Sequence, residues 1–213
     1  MTDKNTEYKN IEYAPPEKRL VLATENPNKI REMRELLVET DFEIFSLSDF
    51  PDIILPPEDG DTFIENAAVK ACYVSRVTGM LALADDSGLA VDCLDGAPGV
   101  YSARFAGEDK DVGANNRKLL FLLAGLPLEK RVAAFKCVIA VADSKDNFIF
   151  FEGECSGIIT EEPKGANGFG YDPIFYLPQF SRTMAELSPA EKNTVSHRAV
   201  ALKKCIEMLK RIK

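Results

Sequence analysis

The segment Leu81-Ala82-Leu83-Ala84-Asp85-Asp86-Ser87-Gly88-Leu89 decides how this chain is read, because an apolar strand here runs into two carboxylates, a hydroxyl and a glycine. Side chains alternate along a strand, so Asp85 continues the side of Leu81 and Leu83, and Asp86 that of Ala82 and Ala84. The two acids face opposite ways unless the strand has broken by Gly88. The expectation is a break, with one carboxylate bracing a turn and the other facing open space past the strand end. That is where α/β sheets place ligands. Leu89-Ala90-Val91-Asp92 is then the return arm of a hairpin. Turn chemistry alone would ask for the same residues, so the rest of the chain has to decide.

Upstream, Arg19-Leu20-Val21-Leu22-Ala23-Thr24 is a nearly continuous apolar run, as expected of a buried strand. Asn26 is a good N-cap and Pro27 a good first helical residue, so a helix opens there, with Ile30, Met33, Leu36 and Leu37 as its apolar stripe. A strand–turn–helix junction presents backbone N–H groups to an anion. Lys29, in the first helical turn, is misplaced against the helix dipole unless an anion binds nearby. Residues 42–47 read as a second strand, followed by a polar loop with Glu58, Asp59 and Asp61. Thr62-Phe63-Ile64-Glu65 is a capping box opening a helix that stops at Gly79, so Glu65 is structural and Glu58 is free for other work.

Downstream, Asp95-Gly96-Ala97-Pro98-Gly99 is turn chemistry, and a helix follows residues 108–111, closing at Gly125. Residues 131–142 and 148–159 are two long β-type runs around a turn cluster and predict an antiparallel hairpin. Strands this long indicate an extended, partly antiparallel sheet rather than a purely parallel one. In Gly165-Ala166-Asn167-Gly168-Phe169-Gly170-Tyr171-Asp172 the glycines let backbone approach a ligand while Phe169 or Tyr171 offers a flat face. No Gly-Lys-Ser/Thr follows, so it is not a Walker loop. Ser188-Pro189-Ala190-Glu191 opens the last helical stretch with another capping box. On one straight helix Lys192 and His197 would lie about 140° apart. Serving one site therefore requires a break, expected near Asn193-Thr194.

Composition narrows the function classes. The chain has 213 residues, 46% hydrophobic and 28% charged, the proportions of a soluble globular protein. No apolar run approaches the ~18 residues of a membrane span. The first 18 residues read as a loose extension with no apolar leader core, leaving residues 19–213 as a single domain. Five scattered cysteines without a Cys-x-x-Cys pair argue against a disulfide framework and for a reducing cytoplasm. One histidine, His197, excludes a multi-histidine metal centre. A net charge of −8 disfavours nucleic acid but permits a small phosphorylated ligand, given local cations and a metal.

In order along the chain, these motifs resemble the inosine triphosphate pyrophosphatase, or Ham1-like, family. The anchors are Thr24-x-Asn26-x-x-Lys29, Glu58 with Thr62-Phe63-Ile64-Glu65-Asn66-Ala67, Ala84-Asp85-Asp86-Ser87-Gly88-Leu89, and Gly96-Ala97-Pro98-Gly99. They continue with Gly168-Phe169-Gly170-Tyr171-Asp172-Pro173 and Glu191-Lys192 with Ser196-His197-Arg198. Pro27 departs mildly from the first motif, and the N-terminal extension has no counterpart. The resemblance implies an α/β fold: a long twisted mixed β-sheet flanked by helices, two lobes, a central nucleotide cleft, and a homodimer. It implies that Thr24, Asn26 and Lys29 grip the triphosphate. Asp86 would be the general base and a Mg²⁺ ligand with Glu58, and Ser87 a substrate contact. Phe169, Gly170, Tyr171, Asp172, Lys192, His197 and Arg198 would hold base, sugar and phosphates. The implied reaction is hydrolysis of ITP, dITP and XTP to the monophosphate and pyrophosphate, sanitising the nucleotide pool.

Elementary chemistry agrees with that division of labour. Mg²⁺ prefers oxygen ligands and is usually held by one or two carboxylates together with phosphates. A carboxylate can also deprotonate an attacking water. A pocket donating to a 6-oxo group rejects adenine, since an unpaired buried polar group costs ~1–3 kcal/mol. His197 and amides near Phe169 are candidate donors. Two rivals remain: a Maf-like pyrophosphatase acting on pyrimidine or modified nucleotides, and a nucleotide-binding module without catalysis.

Overall fold

The computed structural model describes residues 18–212, so nearly all of the expected N-terminal extension lies outside the described residues. The chain runs β1 (Arg19–Leu22), α1 (Pro27–Leu37), β2 (Glu43–Ser46), α2 (Phe63–Thr78), β3 (Leu81–Val91) and α3 (Val112–Leu122). It continues with β4 (Val132–Ala142), β5 (Phe148–Ile159), β6 (Phe175–Leu177), β7 (Arg182–Thr183), α4 (Pro189–Val195) and α5 (His197–Leu209). One seven-stranded sheet orders them β2-β1-β3-β4-β5-β6-β7. β1 pairs in parallel with β2 and β3, and every later pairing is antiparallel. The sheet is mixed, as the long 131–159 hairpin predicts.

Local chemistry fixes the helix starts. Asn26 caps α1 by accepting from the Asn28 and Lys29 amides, with Pro27 at the first helical position. Thr62 and Glu65 form the expected capping box of α2, and left-handed Gly79 (φ 70°) ends it. Three apolar clusters follow. One lies under α1 and α5 and includes Leu81, Leu83 and Leu202. A second, on the opposite face, joins Ala82 and Ala84 to Ala67, Ala71 and Val74 of α2. The third fills the far end of the sheet around Leu89, Phe135, Tyr171 and Phe175.

Two expectations need correction. β3 does not break at Gly88: it stays paired with β4 from Ala82↔Ala142 to Val91↔Ala133, so Leu89-Ala90-Val91 continues the strand instead of returning, and Asp92 opens a short 3-10 turn. Gly88 is present for space rather than for a turn. A Cβ there would collide with the Gly99 carbonyl oxygen and Ser102 Oγ, and Ser102 Oγ accepts from the Leu89 amide at 2.9 Å. The terminal helix does break between Lys192 and His197, but at Ser196 rather than near Asn193-Thr194. Ser196 is extended (ψ 151°) and its Oγ caps α5 by accepting from the Ala199 amide at 3.2 Å.

Candidate active site

Because β3 stays extended, Asp85 and Asp86 project to opposite faces of the sheet. On the side of α1 and α5, Asp85 is fully buried, and its Oδ2 gathers four partners. Lys29 Nζ lies 3.1 Å away, Arg198 donates from Nε at 3.1 Å and Nη2 at 3.0 Å, and Ser87 Oγ donates at 3.2 Å. Asp85 Oδ1 is buried with no partner among the described residues. Burial opposes ionisation, but the charges of Lys29, Arg198 and Lys70 hold the Asp85 carboxyl well below the usual range.

From Asp85 an alternating chain of charges runs outward. Arg198, itself buried, donates to Glu32 Oε2 at 2.6 Å and to Ser87 Oγ at 2.9 Å. Glu32 also meets Lys192 Nζ at 2.9 Å, and Lys192 donates to Asp172 Oδ2 at 2.6 Å. Burial works against the Glu32 charge, yet Arg198 and Lys192 keep its pKa lowered. For Asp172 burial prevails over Lys192, and the pKa is raised. A buried pair is costly to break because the survivor is left as an uncompensated charge, so this chain locks α1, β3, α4, α5 and the 163–172 loop together.

The opposite face differs. Asp86 Oδ2 accepts from Asn66 Nδ2 at 3.0 Å, and its Oδ1 from the Ser87 amide at 3.0 Å. Burial pushes the Asp86 pKa up and the Glu58 charge adds to the rise, against Lys70, Lys29 and Asn66, which do not overcome them. Glu58 reaches this face from the loop before α2. Its Oε1 pairs with Lys70 Nζ, and its backbone carbonyl accepts from Arg104 Nη2 at 3.2 Å. Its own pKa is lowered, since Lys70 and then Lys29 outweigh burial. Asn66 also accepts from the Gly60 amide at 2.8 Å, tying the Glu58 loop to Asp86. Two acids 28 positions apart in sequence thus sit within reach of each other's charge and of the same lysines.

The remaining expected residues take these places. Thr24 is buried, its Oγ1 accepting from the Asn26 amide at 3.3 Å; Asn26 uses its carboxamide oxygen on the helix amides it caps. Phe169 lies beneath two cations, Lys192 Nζ 4.7 Å and Arg198 Cζ 5.6 Å from the ring centroid. The Phe169 amide donates to Asp172 Oδ2 at 2.8 Å, closing the turn through Gly170. Tyr171 points the other way: its ring is in the far core and its hydroxyl donates to the Ser102 carbonyl at 2.9 Å. His197 is buried, stacked on Phe135 at 4.7 Å and 11° between planes, with Nδ1 unpartnered among the described residues. Burial, helped by Arg198 and Lys192, holds its pKa well below the ordinary histidine value, so the ring is neutral at pH 7.

Sequence reasoning assigned no role to Glu32, Asn66 or Lys70. The available signal was their position. Asn66 and Lys70 lie one turn apart beside Ala67, Ala71 and Val74, and Glu32 beside Met33, so each places a polar group in a buried helix stripe.

A mixed open sheet with buried charged groups on both faces of one strand defines an α/β protein suited to a polar ligand at the sheet face. The chain belongs to the Ham1 family, whose model matches residues 20–208. It is 53% identical to a dITP/XTP pyrophosphatase of Desulforamulus reducens, over 91% of this chain and 96% of that protein. It is 51% identical to one of Geobacter sulfurreducens, over 86% and 92%. Among solved structures it is similar to the Staphylococcus aureus Ham1 protein (TM-score 0.82, 40% identity, 92% of this chain and 100% of that one). It is also similar to a nucleoside-triphosphatase / dITP/XTP pyrophosphatase of Mycobacterium abscessus (TM-score 0.72, 43% identity, 88% and 98%).

Proposed function

We propose that this chain hydrolyses non-canonical purine nucleoside triphosphates (ITP, dITP and XTP) to the monophosphate and pyrophosphate, clearing them from the nucleotide pool. The observation that carries the reading is Asp86: a buried carboxylate with raised pKa, beside Glu58 and within the field of Lys29 and Lys70. The dITP/XTP pyrophosphatase activity by which its relatives are named is the second support.

Asp86 accepts the proton of a water that attacks the α-phosphorus, and the bond to the bridging oxygen breaks, releasing pyrophosphate. Asn66 and the Ser87 amide fix the orientation of the Asp86 carboxylate. Lys29 lies at the α1 turn, where it can face the polyphosphate, and Lys192 and Arg198 carry charge to the Phe169 side. Neutral His197 and the loop amides near Phe169 then serve the 6-oxo edge of the base.

Glu58 and Asp86 suit Mg²⁺. Both offer hard oxygen, and the raised Asp86 pKa marks a carboxylate short of counter-charge. Two carboxylates suffice for an ion that completes its shell with water and phosphate. Bound there, Mg²⁺ would neutralise charge on the polyphosphate.

The same proposal includes one domain over residues 19–213, a homodimer and a cytoplasmic location; five free cysteines suit a reducing compartment. No helix among the described residues is long and apolar enough to cross a membrane. A panel of nucleoside triphosphates with Mg²⁺, scored for pyrophosphate against orthophosphate, tests the function. Orthophosphate release, or no preference for ITP, dITP or XTP over ATP and GTP, would overturn it.

A further inference from the structure

We propose that Lys70 is the resident counter-ion of the carboxylate pair: it neutralises Glu58 in the metal-free protein and must release Glu58 when a divalent cation binds. The inference rests on the metal reading above.

Lys70 projects from the middle of α2 with its side chain 5% exposed, so its ammonium cannot fall back on solvent. One donor goes to Glu58 Oε1 and another to the Asp85 backbone carbonyl at 2.8 Å. That carbonyl lies on the strand between the two acids, which places the ammonium among Glu58, Asp85 and Asp86.

Glu58 is therefore engaged before any metal arrives. Asp86 is not: its contacts are the Asn66 carboxamide and the Ser87 amide, neither of them a cation. A divalent ion held by Glu58 and Asp86 would compete with the ammonium for Glu58, and like charges repel in a poorly screened site. A lysine stem is flexible, so the ammonium can leave Glu58 while keeping the Asp85 carbonyl. The consequence is a metal site held weak in the empty protein by one of its own side chains.

The test is Mn²⁺ binding without nucleotide, by titration calorimetry and by loss of the free Mn²⁺ paramagnetic resonance signal, in the natural protein and in Lys70→Met. Methionine keeps the apolar stem and removes the charge. The expected result is Mn²⁺ affinity at least ~10-fold tighter in Lys70→Met, with a melting temperature below the natural protein's in chelator and regained on adding Mn²⁺. Equal or weaker affinity overturns the counter-ion role. If neither protein binds Mn²⁺, with or without ITP, the metal assignment itself fails. Should Lys70→Met not fold, the lysine side-chain resonances of the natural protein decide. The Lys70 ammonium signal is expected to shift on Mg²⁺ addition, and an unmoved signal with Mg²⁺ bound overturns the proposal.

Discussion

Asp85 and Asp86 are neighbours on one strand, similarly buried, yet their surroundings push their pKa values in opposite directions. On the α1/α5 face, one oxygen of Asp85 collects Lys29 and Arg198 directly. On the α2 face, Asp86 has hydrogen-bond donors but no cation in contact, and a second carboxylate nearby. Burial is common to both, so the count of touching cations decides the sign. A saturated carboxylate holds structure, and an unsaturated one is available for chemistry.

The sharpest way to break this comparison is to remove each acid in turn. Asp85→Ala takes its ion-pair partner from part-buried Lys29 and leaves buried Arg198 with Glu32 alone, and losing one partner of a buried ion pair costs ~3–5 kcal/mol. Urea unfolding should show that loss, and a change within ~1 kcal/mol would mean the network does not hold this face. The lowered folded pKa of Asp85 also sets the acid response. Its stabilisation is present above the unfolded carboxylate pKa and disappears only as pH falls through the lower folded value.

Asp86→Asn should act on turnover first, with ITP hydrolysis expected to fall at least ~100-fold. A folded pKa raised above the unfolded one means that ionising Asp86 costs stability as pH rises. The melting-temperature difference between Asp86→Asn and the natural protein should therefore move in the variant's favour as pH rises through the carboxylate range to neutrality. A difference that moves the other way would contradict the electrostatic account.

A subtler test concerns pH. Activity needs Asp86 ionised, so kcat/KM should decline about tenfold per pH unit below the pKa that Asp86 has with Mg²⁺ present. In Glu58→Gln, carbon-detected titration of Asp86 in metal-free protein should give a lower pKa, because a negative neighbour has gone. The smallest effect is reserved for Ser196→Ala, which removes the α5 cap. About 1 kcal/mol is expected, or a melting temperature 2–4 °C lower for a chain of roughly this size.

Much of the frame was legible in advance because its signals are local. Asn26-Pro27, Thr62 with Glu65, and Ser188-Pro189 with Glu191 each announce a helix start through their own chemistry. The 132–159 hairpin follows from two β-rich runs around a turn cluster. What misled is non-local. Gly88 looks like a turn residue, and only the approach of Gly99 and Ser102 from a later segment shows why it sits inside a strand. The positions flanking the acids were equally opaque. That Lys70 meets Glu58, and Glu32 meets both Arg198 and Lys192, depends on packing that no spacing rule encodes. Tyr171 illustrates the same limit: the motif places it beside the cleft, while its hydroxyl is spent on the Ser102 carbonyl.

The unbroken course of β3 has a mechanical consequence. Ten of its residues are laddered to β4, and its first three to β1 as well, so the acids stand on an anvil rather than on a jaw. Whatever breathing admits and releases a guest must come from the pieces that lean over the sheet, the Glu58 segment and the glycine-aromatic loop. Amide hydrogens of residues 83–87 should accordingly be among the last in the molecule to exchange.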